Sequence, residues 1–292
     1  MIETNLPGGT FKLADDIEVG RMGYGAMQLA GPGVFGPPKD RLAAINILQE
    51  VIKLGINHID TSDFYGPHIT NKIIKEALYP YPDGLTIVTK VGAKRDDKGG
   101  WLPADSPEEL RQAVQDNLKN LGVEALDIVN FRIHSSEDPS APSHESIAEP
   151  FSVLAKMQKE GFIKHLGIST ATVEQIAEAQ TIAPIVCVQN MYNIANRGDD
   201  KIIDLLAAQG IAYVPYFPLG GFTPLQSDIL SQVAKRLNTN PMGVALAWLL
   251  QRSPNILLIP GTSSIEHLRE NILGASLHLP DDEIEELNKI SG

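Results

Sequence analysis

The sequence predicts an α/β fold, and within that class a single (β/α)8 TIM barrel, on three observations. Short apolar runs alternate with longer amphipathic stretches along the chain; most of the short runs are continuous in Val, Ile and Leu; and no Pro-, Gly- or Ser-rich linker interrupts the series. Continuous apolar runs suit parallel strands covered on both faces, whereas apolar residues recurring every three or four positions mark helices that bury one stripe. A doubly wound open sheet shares this alternation. An unbroken series of eight strands favours closure, and a chain of this length buries about three quarters of its unfolded surface. One domain over residues 1–292 is expected.

The strands are predicted at 21–25, 56–60, 85–90, 126–132, 163–168, 185–190, 211–216 and 256–259, with helical periodicity at 41–54, 106–121, 147–160, 199–209 and 264–273. Ser106-Pro107-Glu108-Glu109 reads as a capping box with Pro at the first helical position, and Gly122 and Gly161 stand where helices must stop. Residues 11–20 are too short for another β/α unit and read as a small hairpin over the bottom of the barrel. Two extra helices are expected, at 240–252 between the seventh and eighth repeats and at 281–290 at the end.

Composition narrows the function. With 24 Lys and Arg against 36 Asp and Glu, the formal charge is −12, the wrong sign for a chain that neutralises phosphates along a nucleic acid or an anionic membrane. No apolar run approaches the ~20 residues that span a bilayer. The N-terminal residues have neither the basic start nor the apolar core of a signal peptide. Cys187 is the single cysteine, so no internal disulfide forms and a cytoplasmic location is expected. The partner is expected to be a small molecule; nothing in the chain speaks to oligomeric state.

Barrel enzymes carry their chemistry where strands end. The second strand runs out through Asp60 to Tyr65 and the third through Lys90, which brings a carboxylate, a phenol and an ammonium to one rim. An inward lysine is costly to bury unpaired, so Asp60 is its natural counter-ion. A phenol with a pKa of about 10 donates a proton poorly near neutrality until a nearby cation stabilises its anion, the part Lys90 can play for Tyr65. His58 and Asp60 lack a third ligand at metal spacing, so no metal is expected. Cys187 reads as a small core residue, and Gly23-Tyr24-Gly25 lacks the third glycine of a dinucleotide fingerprint.

The segments His58-Ile59-Asp60-Thr61-Ser62-Asp63-Phe64-Tyr65-Gly66 and Val88-Thr89-Lys90 resemble the active-site segments of the aldo-keto reductases. The resemblance continues in order through Met22-Gly23-Tyr24-Gly25-Ala26-Met27, Gly167-Ile168-Ser169, Val188-Gln189-Asn190, Val214-Pro215-Tyr216-Phe217-Pro218-Leu219-Gly220 and Ile259-Pro260-Gly261-Thr262-Ser263-Ser264. Gly31-Pro32-Gly33-Val34-Phe35-Gly36-Pro37-Pro38 and Val129-Asn130-Phe131-Arg132 are most similar to bacterial members grouped with pyridoxal reductases. That resemblance implies a barrel that reduces a small aldehyde or ketone with NADPH (NADP), pyridoxal to pyridoxine first among the reactions. Tyr65 would be the general acid, tuned by Lys90 and Asp60. The nicotinamide would lie against Tyr216, its carboxamide held by Ser169 and Gln189 with Asn190 nearby. Asp60 would also help to position the nicotinamide ribose. Gly25, Ala26, Met27, Phe217, Pro218 and Leu219 would line the cofactor, and Glu270 and Asn271 would meet the adenine.

There are three departures from the family pattern. Where the family commonly has a His five residues after the fourth-strand Asp, counting from Asp127 reaches Arg132, with His134 two further on and on the same side of a continuing strand. Arg132 fits the register and would donate to the carbonyl oxygen; a bulge would bring His134 there instead. The family's Asn after Ser169 is Thr170, which keeps a hydroxyl and loses an amide. The usual Lys and Arg for the adenosine 2′-phosphate are Gly261 and His267. There Thr262, Ser263 and Ser264 open a helix, with Ser263 and Glu266 spaced as a capping box, and the turn reads equally as an anion site.

The loops 31–39, 92–103, 133–142 and 217–226 would set substrate choice, with Phe35, Trp101 and Phe222 as walls. General aldehyde detoxification is the alternative substrate reading. A Schiff-base aldolase, which also wants a lone lysine at a strand end, and a nucleotide-binding barrel with little turnover are the alternative classes.

Overall fold

The structure, a computed structural model, describes residues 6–134, 143–221 and 224–290; Phe222, most of the 133–142 loop and the first five residues lie outside the described residues. Strands β3 (Tyr24–Gly25), β4 (His58–Asp60), β5 (Thr86–Arg95), β7 (Leu126–Arg132), β8 (Ile163–Ser169), β9 (Ile185–Gln189) and β10 (Ala212–Tyr213) pair in parallel in the order β10-β9-β8-β7-β5-β4-β3. The eighth strand position closes the sheet on itself. Leu258 bridges Met22 and Ile256 bridges Tyr213, and Gly23 N donates to Leu258 O at 2.7 Å while Leu257 N donates to Tyr213 O at 2.9 Å. Closure leaves no free edge, which is why these strands tolerate uninterrupted apolar sequence.

The expected hairpin forms from β1 (Thr10–Ala14) and β2 (Ile17–Gly20). Its Leu13, Ile17 and Val19 pack with Val88, Ile128, Ala212, Val214, Leu257 and Ile259 in a small core of their own, sealing the bottom of the barrel. Helices α1 (Arg41–Lys53), α2 (Ile69–Leu78), α3 (Pro107–Leu121), α4 (Ala148–Lys159), α5 (Val173–Ile182) and α6 (Asp200–Ala208) follow the strands around the outside. Two helices, α7 (Asp228–Arg236) and α8 (Pro241–Arg252), fill the connection before the closing strand, and α9 (Ile265–Ala275) and α10 (Asp281–Leu287) complete the chain. The extra helix here is α7 and not the expected 240–252 segment: α8 takes the ring position, because its residues from Gly243 to Leu250 are all buried. α7 lies farther out, tied to α10 by Arg236, which donates to Glu283 at 2.8 Å. Ser106 caps α3 in the expected box, and Gly122 ends it at φ +72°.

One loop expectation fails. The chain after the third strand is not a loop: β5 runs on to Arg95 and turns back as β6 (Trp101–Ala104), pairing antiparallel with Arg95 opposite Trp101. The Asp96 side chain accepts from the N–H groups of Lys98 and Gly100, a local turn that closes this hairpin. Among the described residues, no helix is long and apolar enough to cross a membrane.

Candidate active site

Strand parity sorts the barrel interior into layers, because side chains two apart point the same way. Asp60, Lys90, Ser169 and Gln189 share the upper rim, and all are at least 95% buried. Two residues lower on three of the same strands come His58, Gly167 and Cys187, with Asn130 beside Cys187, whose Sγ lies 3.3 Å from Asn130 Oδ1. Only glycine fits at 167: a Cβ there would stand 2.1 Å from Asn130 Oδ1. Burial holds the His58 imidazole down to about 4, hence neutral, and pushes the Cys187 thiol up to about 12, hence unreactive. The chemistry therefore belongs to the layer above.

In that layer Lys90 Nζ donates to Asp60 Oδ1 at 2.5 Å and to the Thr61 carbonyl at 2.9 Å. Gln189 Nε2 donates to the other Asp60 oxygen at 2.8 Å. Tyr65 comes from the loop beyond β4, 7% exposed, with Lys90 Nζ 5.4 Å from the centre of its ring. Burial draws the Lys90 ammonium down, but Asp60 and Tyr65 outweigh it and hold the group above its ordinary value. The Tyr65 phenol shows the opposite of the lowering expected from sequence. Burial, helped by the Asp60 charge, pushes it up, Lys90 and Arg132 pull it down, and the rise wins. The result is a phenol that keeps its proton near neutrality beside two cations able to stabilise the anion once the proton leaves.

Arg132 ends β7 opposite Ser169. Its Nη1 donates to the Thr170 hydroxyl, and its guanidinium carbon lies 5.3 Å from the centre of the Tyr216 ring. Thr170 holds a left-handed backbone, φ +59°, unusual for a β-branched residue. Two of the sequence departures are thus neighbours: the arginine and the threonine hydroxyl that accepts from it. His134 lies just beyond the end of the strand and is partly exposed.

A dinucleotide fits the residues present on one observation in particular. Ser169 Oγ is buried and has no hydrogen-bond partner among the described residues, and it sits next to Gln189 in register, where a carboxamide would satisfy it. Gly25 and Gly261 lie back to back, a Cβ on Gly261 coming 2.8 Å from Gly25 O, so the two segments pack directly against each other. Ala26, expected to line the cofactor, is fully buried in the core with no exposed surface, and Pro218 is buried as well. The capping expectation shifts by one residue. Ser264, not Ser263, caps α9 by accepting from His267 N, and Ser263 is exposed beside it. His267 is exposed and Asn271 is buried within α9. Asn190 leaves the rim: its amide donates to Ala171 O at 2.9 Å and to Asp199 at 2.7 Å, and its oxygen accepts from Ala171 N, so it braces two loops.

Sequence reasoning missed a polar network around Asp63, buried except for the exposed His68. Asp63 accepts from Asn71, from Asn120 and from His68, Asn71 also donates to Asn117, and Thr89 donates to Asn117. Asp63, His68 and Asp116 also bring ligand atoms within 4.8 Å of one another, but both Asp63 oxygens already accept from N–H donors. Only Asp63, inside the Asp60–Gly66 motif, was within reach of motif reading; Asn71 comes from α2 and Asn117 and Asn120 from one face of α3, and nothing in the sequence joins the two helices.

The barrel, the rim and the residue order define a nicotinamide-dependent carbonyl reductase type of site, and the Aldo/keto reductase family model matches residues 21–291. The chain belongs to the aldo/keto reductase family and is an oxidoreductase. It is 62% identical to pyridoxine 4-dehydrogenase of Escherichia coli over 98% of this chain and 99% of that one. It is also 41% identical to an uncharacterized oxidoreductase, C215.11c, of Schizosaccharomyces pombe, over 96% and 89% of the two chains. Among solved structures, the thermostable aldo-keto reductase Tm1743 in complex with epalrestat superposes with a TM-score of 0.80 at 26% identity, covering 96% of this chain and 99% of that chain. A Klebsiella pneumoniae aldo/keto reductase in complex with NADP and acetate shares the fold with a TM-score of 0.77 at 20% identity, over 96% and 94% of the chains.

Proposed function

We propose that this barrel, acting as one unit over residues 1–292, reduces pyridoxal to pyridoxine with NADPH. The observation that carries the chemistry is the buried Asp60–Lys90 pair beneath a protonated Tyr65. The substrate and the cofactor come from the pyridoxine 4-dehydrogenase relative and the family.

Bound NADPH supplies the hydride to the carbonyl carbon. Tyr65 gives its proton to the carbonyl oxygen, and Lys90 stabilises the phenolate left behind. Asp60 keeps Lys90 charged and in place, and Gln189 fixes the second Asp60 oxygen. Arg132 offers a guanidinium to the same oxygen and to an acidic phenol on the substrate. Ser169 and Gln189 would hold the carboxamide, with Tyr216 beside them; the exposed Ser263 and His267, with the Thr262 turn, would meet the 2′-phosphate. A cytoplasmic site of action accords with a chain that has one cysteine.

The aldolase alternative loses on Lys90. A Schiff base needs a neutral amine, and here the ammonium is held above its ordinary value by Asp60 and Tyr65. The test is a panel of aldehydes including pyridoxal, assayed for NADPH and NADH oxidation side by side, with Tyr65→Phe as control. Loss of at least ~100-fold in kcat is expected for that variant, the scale of a missing general acid, with NADPH affinity nearly unchanged. Near-native turnover by Tyr65→Phe would remove Tyr65 from the role, and NADPH binding without turnover of any aldehyde would favour a binding function.

A further inference from the structure

Arg95 lies outside the catalytic rim, yet it makes more contacts than a hairpin tip requires. It is the last residue of β5. Its Nη1 donates to Val34 O at 2.7 Å, its Nη2 to Gly33 O at 2.9 Å, and Nη2 and Nε to Gly99 O at 2.7 and 3.2 Å. The flat guanidinium also lies 3.9 Å from the centre of the Trp101 ring and 5.5 Å from that of Phe35. One side chain thereby fastens three separate pieces: the loop after the first strand, the turn of the β5–β6 hairpin, and Trp101 on β6.

The fastened loop leads directly to the catalytic phenol. Val34 O accepts from Gly66 N at 3.1 Å as well as from Arg95, and Gly66 follows Tyr65. Val34 itself has a left-handed backbone, φ +59°, a costly conformation for a β-branched residue that persists only where its surroundings dictate it. On the other side Trp101 meets Phe64 edge-on at 5.6 Å, and Phe64 meets Tyr65 edge-on at 5.5 Å. Val34, Phe64, Tyr65 and Ala93 form an apolar cluster against which Met27 and Trp101 pack.

We propose that Arg95 is a specificity-determining positioning residue: it locks the loop 31–36 to the β5–β6 hairpin and so builds the apolar aromatic wall beside Tyr65 against which a flat aromatic aldehyde is held. A broad ring needs that wall to keep its carbonyl within reach of the phenol. A two- or three-carbon aldehyde does not. The arginine is specific to this role because its planar fork reaches the Val34, Gly33 and Gly99 carbonyls in fixed directions while lying flat on the Trp101 ring, a geometry that a shorter side chain with a compact, non-planar ammonium does not reproduce.

The inference rests on the aldehyde-reductase reading, and the experiment keeps the two apart. Wild type, Arg95→Leu and Arg95→Lys are compared with NADPH on pyridoxal and on propanal, with thermal unfolding confirming that each variant is folded. For both variants, kcat/KM for pyridoxal is expected to fall by about 10-fold or more, through KM, while that for propanal changes by less than about 2-fold. If Arg95→Leu does not fold, Arg95→Lys carries the test. Equal losses on both aldehydes, or no loss on pyridoxal, would overturn the role of Arg95. A wild-type enzyme that turns over neither aldehyde would instead overturn the reductase reading.

Discussion

Arg132 stands where the family resemblance leads one to expect a histidine, and the structure brings it to Thr170 and Tyr216. Arg132→Leu is therefore expected to lower kcat/KM strongly, by about 100-fold if one oxyanion donor is lost, and His134→Ala to change it little. The pH profile adds a second readout, since an imidazole donor would bring a titration near pH ~6.5 that a guanidinium cannot. A crippled His134→Ala beside a healthy Arg132→Leu would reverse the assignment. Tyr65 gives a pH prediction of its own. The donor must be protonated, and burial holds it above its ordinary value of about 10. Reduction measured as kcat/KM should then stay on a plateau through neutrality and fall only as pH climbs past the ordinary tyrosine range. A falling limb below pH ~8 would point to another donor.

The loop from β4 to α2 and the first turn of α9 each make a distinct prediction. His68 is held above its ordinary value chiefly by its hydrogen bond to Asp63, against desolvation, with Asp116 adding to the rise and Lys72 opposing it. A raised histidine contributes stability that is complete below about pH 6.5 and disappears as pH rises through the folded-state value. Wild type should accordingly unfold at a higher temperature than His68→Gln near pH 6, with the gap closing near pH 9; a gap that widens with pH would refute the pairing. In α9 the cap is Ser264 and its exposed neighbour is Ser263. Ser264→Ala should cost about 1 kcal/mol in denaturant unfolding. Ser263→Ala should leave stability alone and weaken NADPH more than NADH in a binding titration. A reversed pattern would return the cap to Ser263.

At the scale of the molecule, the barrel separates stability from catalysis along its axis. The hairpin seals one end with Leu13, Ile17 and Val19, and the reactive layer occupies the other. Leu13→Ala should lower stability by about 2 kcal/mol or more, the usual cost of a buried leucine cavity, and leave kcat unchanged. A parallel drop in kcat in the folded variant would show that the two ends are coupled.

The sequence by itself determined the barrel and most of its rim. Buried parallel strands must be apolar throughout, so their positions show directly, and period-two geometry then sets Asp60, Lys90, Arg132, Ser169 and Gln189 facing inward. Motif order supplied Tyr65. What only the tertiary structure decided was contact between segments far apart in the chain. The sequence held no sign that Arg132 would meet Thr170, that Asn190 would brace Ala171 and Asp199, or that Arg95 would reach Val34 across 61 positions. The direction of the Tyr65 shift was also hidden, because Lys90 is visible as a neighbour but the depth of burial that outweighs it is not. Periodicity reports which face of an element is covered; which polar groups meet beneath that cover depends on how the elements pack, and no single element's pattern encodes that.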